Sequence, residues 1–235
     1  MSSFEHWSAG DNTASYTRMA RWSWWFTSDA GLIVRITIGV GIFAAIATID
    51  LIRHGHHATR WREYAFLAAA TALAMLYGIA NDRMAAGISW EYFYYGKGLN
   101  SLLGPALPPD ARVLNRAAIG VGLRATWTAG LLIGAILLIA NNPRPNRRPL
   151  SYSSLLRFLL LIGATAACGA VVGAFIGSHG WLNWTNSDLN AIWQDNEFRP
   201  HRFLGVYGMN LGAYLGGAVG TIFVVLVMGG LRKRA

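Results

Sequence analysis

Three short stretches carry the residues on which chemistry could be built: Asn81-Asp82-Arg83, Glu91-Tyr92-Phe93 and His201-Arg202. Histidine, aspartate and glutamate gathered at one depth can hold a transition metal through nitrogen and oxygen. Two carboxylates in an apolar setting can also acquire separated proton affinities, as acid and base roles require. The donor set is thin, with Asp82, Glu91 and His201 or His179 as its members, so no metal site is predicted. The expected arrangement is a polar binding or structural cluster of Asp82, Arg83, Glu91, Arg124, His201 and Arg202, in which a carboxylate pairs with Arg83, Arg124 or Arg202.

Arg124 is the least expected member, because it falls well inside an apolar run and a charge at mid-span costs about 2.5–3.5 kcal/mol on insertion scales. Arg112, Arg116, Gly120 and Arg124 follow at four-residue steps, which sets them near one helix face. Helical side chains lean toward the N-terminus, so Arg124, and Arg35 in the first span, can snorkel back along their helices to an interface. That stripe suits lipid phosphate or another anion. His54, Gly55, His56 and His57 form a second polar tract, read as a solvated turn with no carboxylate beside it. No Gly-x-Ser-x-Gly elbow, Walker loop or His-Glu-x-x-His helix occurs, and the single cysteine, Cys168, rules out an intrachain disulfide, so no catalytic residue is assigned.

The elements that must position these groups are membrane helices. Of 235 residues, 54% are hydrophobic and 13% charged, against about 25% charged in a soluble domain. Five apolar runs, near 31–52, 63–80, 116–140, 155–177 and 203–230, each supply the roughly 20 residues a spanning helix needs. They lack the alternation of barrel strands. The predicted fold is an all-α bundle of about five transmembrane helices over 31–230, preceded by an aromatic interfacial segment, 1–30, and followed by a basic tail, 231–235. The segment Met1 to Asp29 lacks the pattern of a cleaved signal peptide, so it is expected to be retained.

The formal charge of +9 would suggest nucleic acid in a soluble protein, but here the basic residues flank the spans and no nucleic-acid partner is expected. Arg53, Arg60 and Arg62, then Arg144, Arg147 and Arg148, then Arg232, Lys233 and Arg234 mark one side as cytoplasmic. The opposite connections mix Asp82, Glu91, Asp110, Asp188, Asp195 and Glu197 with fewer cations. The expected location is a bacterial cytoplasmic membrane, N-terminus outside and C-terminus inside. Trp22, Trp24, Trp25 and Phe26, the Trp90 to Tyr95 stretch, and Trp181, Trp184 and Trp193 gather on the outer side, where their rings settle at headgroup level. A short interfacial or re-entrant helix is predicted between Ile88 and Leu103, and Asp110, after Pro108-Pro109, is placed to cap the third span.

Helices in lipid associate where small residues let backbones approach. Gly169, Gly173 and Gly177 in the fourth span and Gly208, Gly212, Gly216 and Gly220 in the fifth form two four-residue stripes predicted to meet, within the chain or across a subunit boundary.

Asn81-Asp82-Arg83, Glu91-Tyr92-Phe93, Arg202-Phe203, Met209-Asn210-Leu211 and Ala213-Tyr214-Leu215-Gly216-Gly217 together resemble an uncharacterised family of bacterial multi-pass membrane proteins. Its pattern reads His-Asp-Gln, Glu-Tyr-Phe, Arg-Phe, Met-His-Asn and Ser-Tyr-Leu-Gly-Gly. The likeness covers the second and fifth spans and their outer ends, and Asn81 and Asn210 stand where that pattern carries histidines. It implies a membrane fold and no known activity.

These features point first to a structural or assembly subunit of a bacterial membrane complex, with lipids and other membrane subunits as partners and no cofactor specified. The alternatives are a small transporter or anion- or lipid-headgroup-binding protein using the arginine stripe, and a membrane-embedded enzyme with an outer carboxylate and histidine site.

Overall fold

The computed structural model describes residues 29–55, 58–143, 148–182 and 199–234. The elements are helices α1 (Asp29–His54) and α2 (Arg60–Ile88), a π-helical turn (Tyr92–Gly96), the short α3 (Asn100–Leu103), then α4 (Ala111–Ala140), α5 (Tyr152–Ser178) and α6 (Pro200–Arg234). Helices α1, α2, α4, α5 and α6 are long and apolar enough to cross a membrane, and the protein is an all-α multi-pass membrane protein. The N-terminal aromatic segment through residue 28, His56, His57, Arg144, Arg147, Asp188, Asp195, Glu197, Trp184 and Trp193 lie outside the described residues.

Two helices run past their predicted ends. Helix α2 continues to Ile88, which carries Asn81, Asp82 and Arg83 inside the helix instead of at its end. Helix α6 continues through Arg234, so the predicted basic tail is its last turn. The connection after α2 forms the π turn and α3 where an interfacial helix is expected, and Asp110 caps α4 by accepting from Arg112 N at 2.8 Å and Val113 N at 3.1 Å.

Contacts divide the chain inside α2 into two compact units, Met1–Tyr64 and Ala65–Ala235. In the first unit, Asp50 of α1 accepts from the backbone N–H groups of Thr59 and Arg60 at 3.0 and 2.9 Å, satisfying donors that open the next helix. His54 Nδ1 lies 2.8 Å from the other oxygen of Asp50. The histidine tract therefore does have a carboxylate beside it, one helical turn back, a position that reading along the chain overlooks. Phe43 and Tyr64 stack at 5.0 Å.

The second unit is built from two helix pairs. Helices α5 and α6 touch backbone to backbone: a Cβ on Gly169, Gly173 or Gly177 would strike the carbonyl oxygen of Gly212, Gly208 or Leu204. Gly216 and Gly220 meet Thr165 in the same seam. Helices α2 and α4 repeat the device, with Gly78 against Gly122 and Gly130 against Ala70 and Ala74. In hydrocarbon such close approach supplies the dispersion contacts that hold helices together.

The pairs join at both ends. At one end, Ala85 and Ala86 of α2, Tyr92 and Phe93 of the π turn, Ala118 of α4, and Phe203 and Val206 of α6 form a buried cluster. At the other, Phe66, Leu137, Leu155, Val224 and Met228 do so. There Arg232, 3% exposed, turns inward instead of into solvent. Its guanidinium donates to the carbonyls of Ala140, of Asn142 at 2.6 Å and of Arg148 at 3.1 Å. A cation at these carbonyls satisfies acceptors that the end of α4 leaves open and complements the helix dipole. Asn141 completes the junction by exchanging two hydrogen bonds with the backbone of Leu150, at 2.8 and 3.0 Å.

Two stability outcomes follow. Gly173→Ala drives a methyl into α6 and is expected to cost about 1–3 kcal/mol, whereas Gly163→Ala, with nothing within 4 Å of the new atom, is expected to change stability by less than about 0.5 kcal/mol; thermal unfolding in detergent separates them. Arg232→Met, which keeps length and removes the donors, is expected to cost at least about 1.5–3 kcal/mol in the same assay, with Arg232→Lys falling between it and wild type.

Candidate functional site

Helix α2 presents Ala70, Ala74, Gly78 and Asp82 at four-residue intervals, a row of small residues that ends in a carboxylate. The row lets α4 approach closely. Because the α2–α4 and α5–α6 pairs are joined at their ends, the space between them remains open over their middle part. It is a cavity of about 650 Å³ with walls from all four helices, including Ala74 and Tyr77, Ala129 and Ile133, Gly163 and Ala166, and Ala213 and Tyr214. From Ala70 to Asp82 the wall rises roughly 18 Å at 1.5 Å per residue, more than half of a hydrocarbon core about 30 Å thick. Leu132, Leu160, Tyr214 and Ile222 line it and are exposed, and the cavity is partly open rather than enclosed.

Its walls are mostly apolar, with the Thr126 and Thr221 hydroxyls donating to the Gly122 and Gly217 carbonyls of their own helices, and at one end Asn81, Asp82 and Asn210 meet. Asn81 Nδ2 donates to Asn210 Oδ1 at 2.9 Å, tying α2 to α6 across 129 residues of sequence, and to Asp82 Oδ1 at 3.2 Å. Asn210 Nδ2 donates to the Val206 carbonyl at 3.2 Å. Asp82 is 5% exposed. One turn before Asn81, the Tyr77 hydroxyl is buried without a hydrogen-bond partner and its side chain lines the cavity.

The Glu91-Tyr92-Phe93 stretch closes this end. Tyr92 packs 5.5 Å from Phe203, and Gly96 leaves room for that ring, since a Cβ there would stand 3.0 Å from Phe203 Cε2. Burial pushes the Tyr92 phenol up to about 12, and a hydrogen bond with Asn210 partly offsets it. Glu91, 2% exposed, accepts from Ser89 Oγ at 2.6 Å, and the same hydroxyl oxygen accepts from Tyr92 N at 3.3 Å. Glu91 thus fastens the turn and does not line the cavity.

The predicted polar cluster divides. Asp82 and Glu91 lie inside, while Arg83, Arg124, His201 and Arg202 are on exposed surface. Ion pairs form at His54–Asp50 and Arg60–Glu63, and Asp82 and Glu91 are not within ion-pair distance of Arg83 or Arg202. The physical reason lies in α2: Asp82 shares the buried stripe of Gly78, whereas Arg83, the next residue, is rotated about 100° onto the outer face. Arg112, Arg116 and Arg124 follow the exposed face of α4, away from the cavity lining. No group of three or more His, Cys, Asp or Glu among the described residues could hold a metal.

Sequence reasoning missed Tyr77, Asn210 as a partner of Asn81, and the α2–α4 seam. The seam had a signal in Gly122, Thr126, Gly130 and Gly134 at four-residue spacing facing Ala70, Ala74 and Gly78. No family model matches the chain, and neither a curated protein nor a solved structure matches it.

The raised phenol makes stability sensitive to alkaline pH. Unfolded tyrosine ionises near 10 and folded Tyr92 near 12, so its contribution is complete below about pH 10 and is lost as pH rises toward 12. Chemical unfolding across pH 9 to 12 should show wild type losing stability more steeply than Tyr92→Phe in that window.

Proposed function

We propose that this protein binds the apolar chain of a membrane amphiphile between its two helix pairs. The carrying observation is the cavity of about 650 Å³, partly open and with Asn81, Asp82 and Asn210 gathered at one end. That volume falls within the roughly 300–1,000 Å³ of small-molecule sites, which combine apolar walls with a few placed polar groups. A chain entering from the bilayer would leave one apolar environment for another, so affinity would come from close contact with the walls and from whatever the polar end recognises.

This reading keeps the lipid-binding class that the arginine stripe suggested and moves the binding site from Arg124 to the cavity. It is favoured over an assembly subunit because both glycine stripes are occupied by one another within the chain. We further propose a bacterial cytoplasmic membrane with the Arg232 end toward the cytoplasm. Supporting this are Arg53, Arg60, Arg62 and Arg148 beside the spans at their predicted cytoplasmic ends, where basic residues set topology.

The test uses the full chain in phosphatidylcholine nanodiscs with a diazirine-bearing dodecanol, labelled residues being mapped by mass spectrometry. Labelling within Ile162–Ala166 and Asn210–Ala218 is expected to saturate with probe, whereas labelling of α1, whose apolar residues are exposed, rises linearly. Gly163→Leu, which places a side chain in open space on the cavity wall, should reduce the saturable component at least several-fold and leave α1 labelling unchanged. Linear labelling everywhere, or no response to Gly163→Leu, would refute chain binding.

A further inference from the structure

We infer that the occupant carries a cationic, hydrogen-bond-donating head, an ammonium on a long apolar chain, and that Asp82 and Tyr77 receive it. The inference rests on the cavity being a chain-binding site and concerns what its polar end selects. Three observations at that end converge.

First, Asp82 lines the cavity at 5% exposure, and the donor it has among the described residues is Asn81 Nδ2. An ionised carboxylate accepts about four hydrogen bonds, so acceptor capacity is left over. Second, no described cation stands within ion-pair distance of it, the Lys97 ammonium over the Tyr92 ring acting on it only from farther off, and a buried carboxylate without a bonded counter-charge is costly in low dielectric. Third, Tyr77 lines the same cavity, and its hydroxyl is buried with no hydrogen-bond partner. Turned into the cavity, its oxygen would accept a second ammonium proton.

The neighbouring side chains sharpen the selection. Asn81 and Asn210 direct their amides to each other, to Asp82 and to Val206, which leaves few donors for an anion. The cations that could attract a carboxylate or phosphate head, Lys97 as well as Arg83, Arg124 and Arg202, are exposed and outside the cavity lining. An anionic head at this end of the cavity would face Asp82, and like charges repel more strongly there than in bulk water. A head with protons to donate and a positive charge satisfies Asp82 and Tyr77 together.

The experiment compares diazirine-bearing dodecylamine, dodecanol and dodecanoate on the full chain in phosphatidylcholine nanodiscs, each normalised to its own labelling of α1 to cancel partitioning. The amine is expected to half-saturate the cavity at about one-tenth the concentration of the carboxylate, the scale of one charge-assisted hydrogen bond. Asp82→Asn, which keeps size and amide-level polarity, should bring amine and carboxylate to parity while dodecanol labelling persists. Tyr77→Phe should reduce the amine preference by a smaller factor. Parity or a carboxylate preference in wild type would overturn the inference, as would an amine preference that survives Asp82→Asn. Failure of all three probes to label saturably would instead remove the chain-binding reading on which it rests.

Discussion

Lipid tails are as apolar as leucine side chains, so nothing expels one membrane helix from its surroundings onto another, and contact between backbones must supply the association. In this protein that contact is made at glycine. Helices α5 and α6 approach until the carbonyls of one lie where side chains of the other would begin, over Gly169, Gly173 and Gly177 and again over Gly208, Gly212 and Gly216. Helices α2 and α4 do the same at Gly78, Gly122 and Gly130. Two stiff pairs result, and the remaining features of the second unit concern how the pairs are joined.

They are joined at the ends by different means. At the Arg232 end a single guanidinium collects carbonyls from α4 and from the connection beyond it, above a cluster that includes Leu137, Leu155 and Met228. At the Tyr92 end the fastening is aromatic and amide, with Tyr92 on Phe203 and Asn81 on Asn210. Between these joints the pairs do not fill the space they enclose. The cavity is therefore a consequence of pairing by backbone contact: each seam is too tight to yield, and the side chains facing inward at Ala74, Ala129, Gly163 and Ala213 are too small to reach across.

The same geometry separates the polar groups by role. Asn81, Asp82 and Asn210 sit where the pairs meet and face the cavity, while Glu91 is committed to Ser89 and the π turn. Arg112, Arg116 and Arg124 occupy the exposed face of α4, where long side chains can follow the helix toward an interface. Apolar walls and a carboxylate end face one another in a single space, which is what gives the cavity a direction along which an amphiphile could lie.

Much of this was legible in the chain itself. Apolar length identified the five spans, because a bilayer of fixed thickness demands it, and four-residue glycine spacing named the α5–α6 seam, because that spacing returns to one helix face. Asp110 after Pro108-Pro109 announced a cap by local chemistry alone. What only the tertiary structure decided was which side of a helix each polar residue takes and what lies opposite: Asp82 inward and Arg83 outward on α2, Asn81 against Asn210, Arg232 turned into the carbonyls of Ala140 and Asn142, Asp50 spanning from α1 to the first turn of α2. Local sequence determines periodicity and length, but a partner 84 or 129 residues away is chosen by how rigid helices are stacked, and so is the empty space left between them.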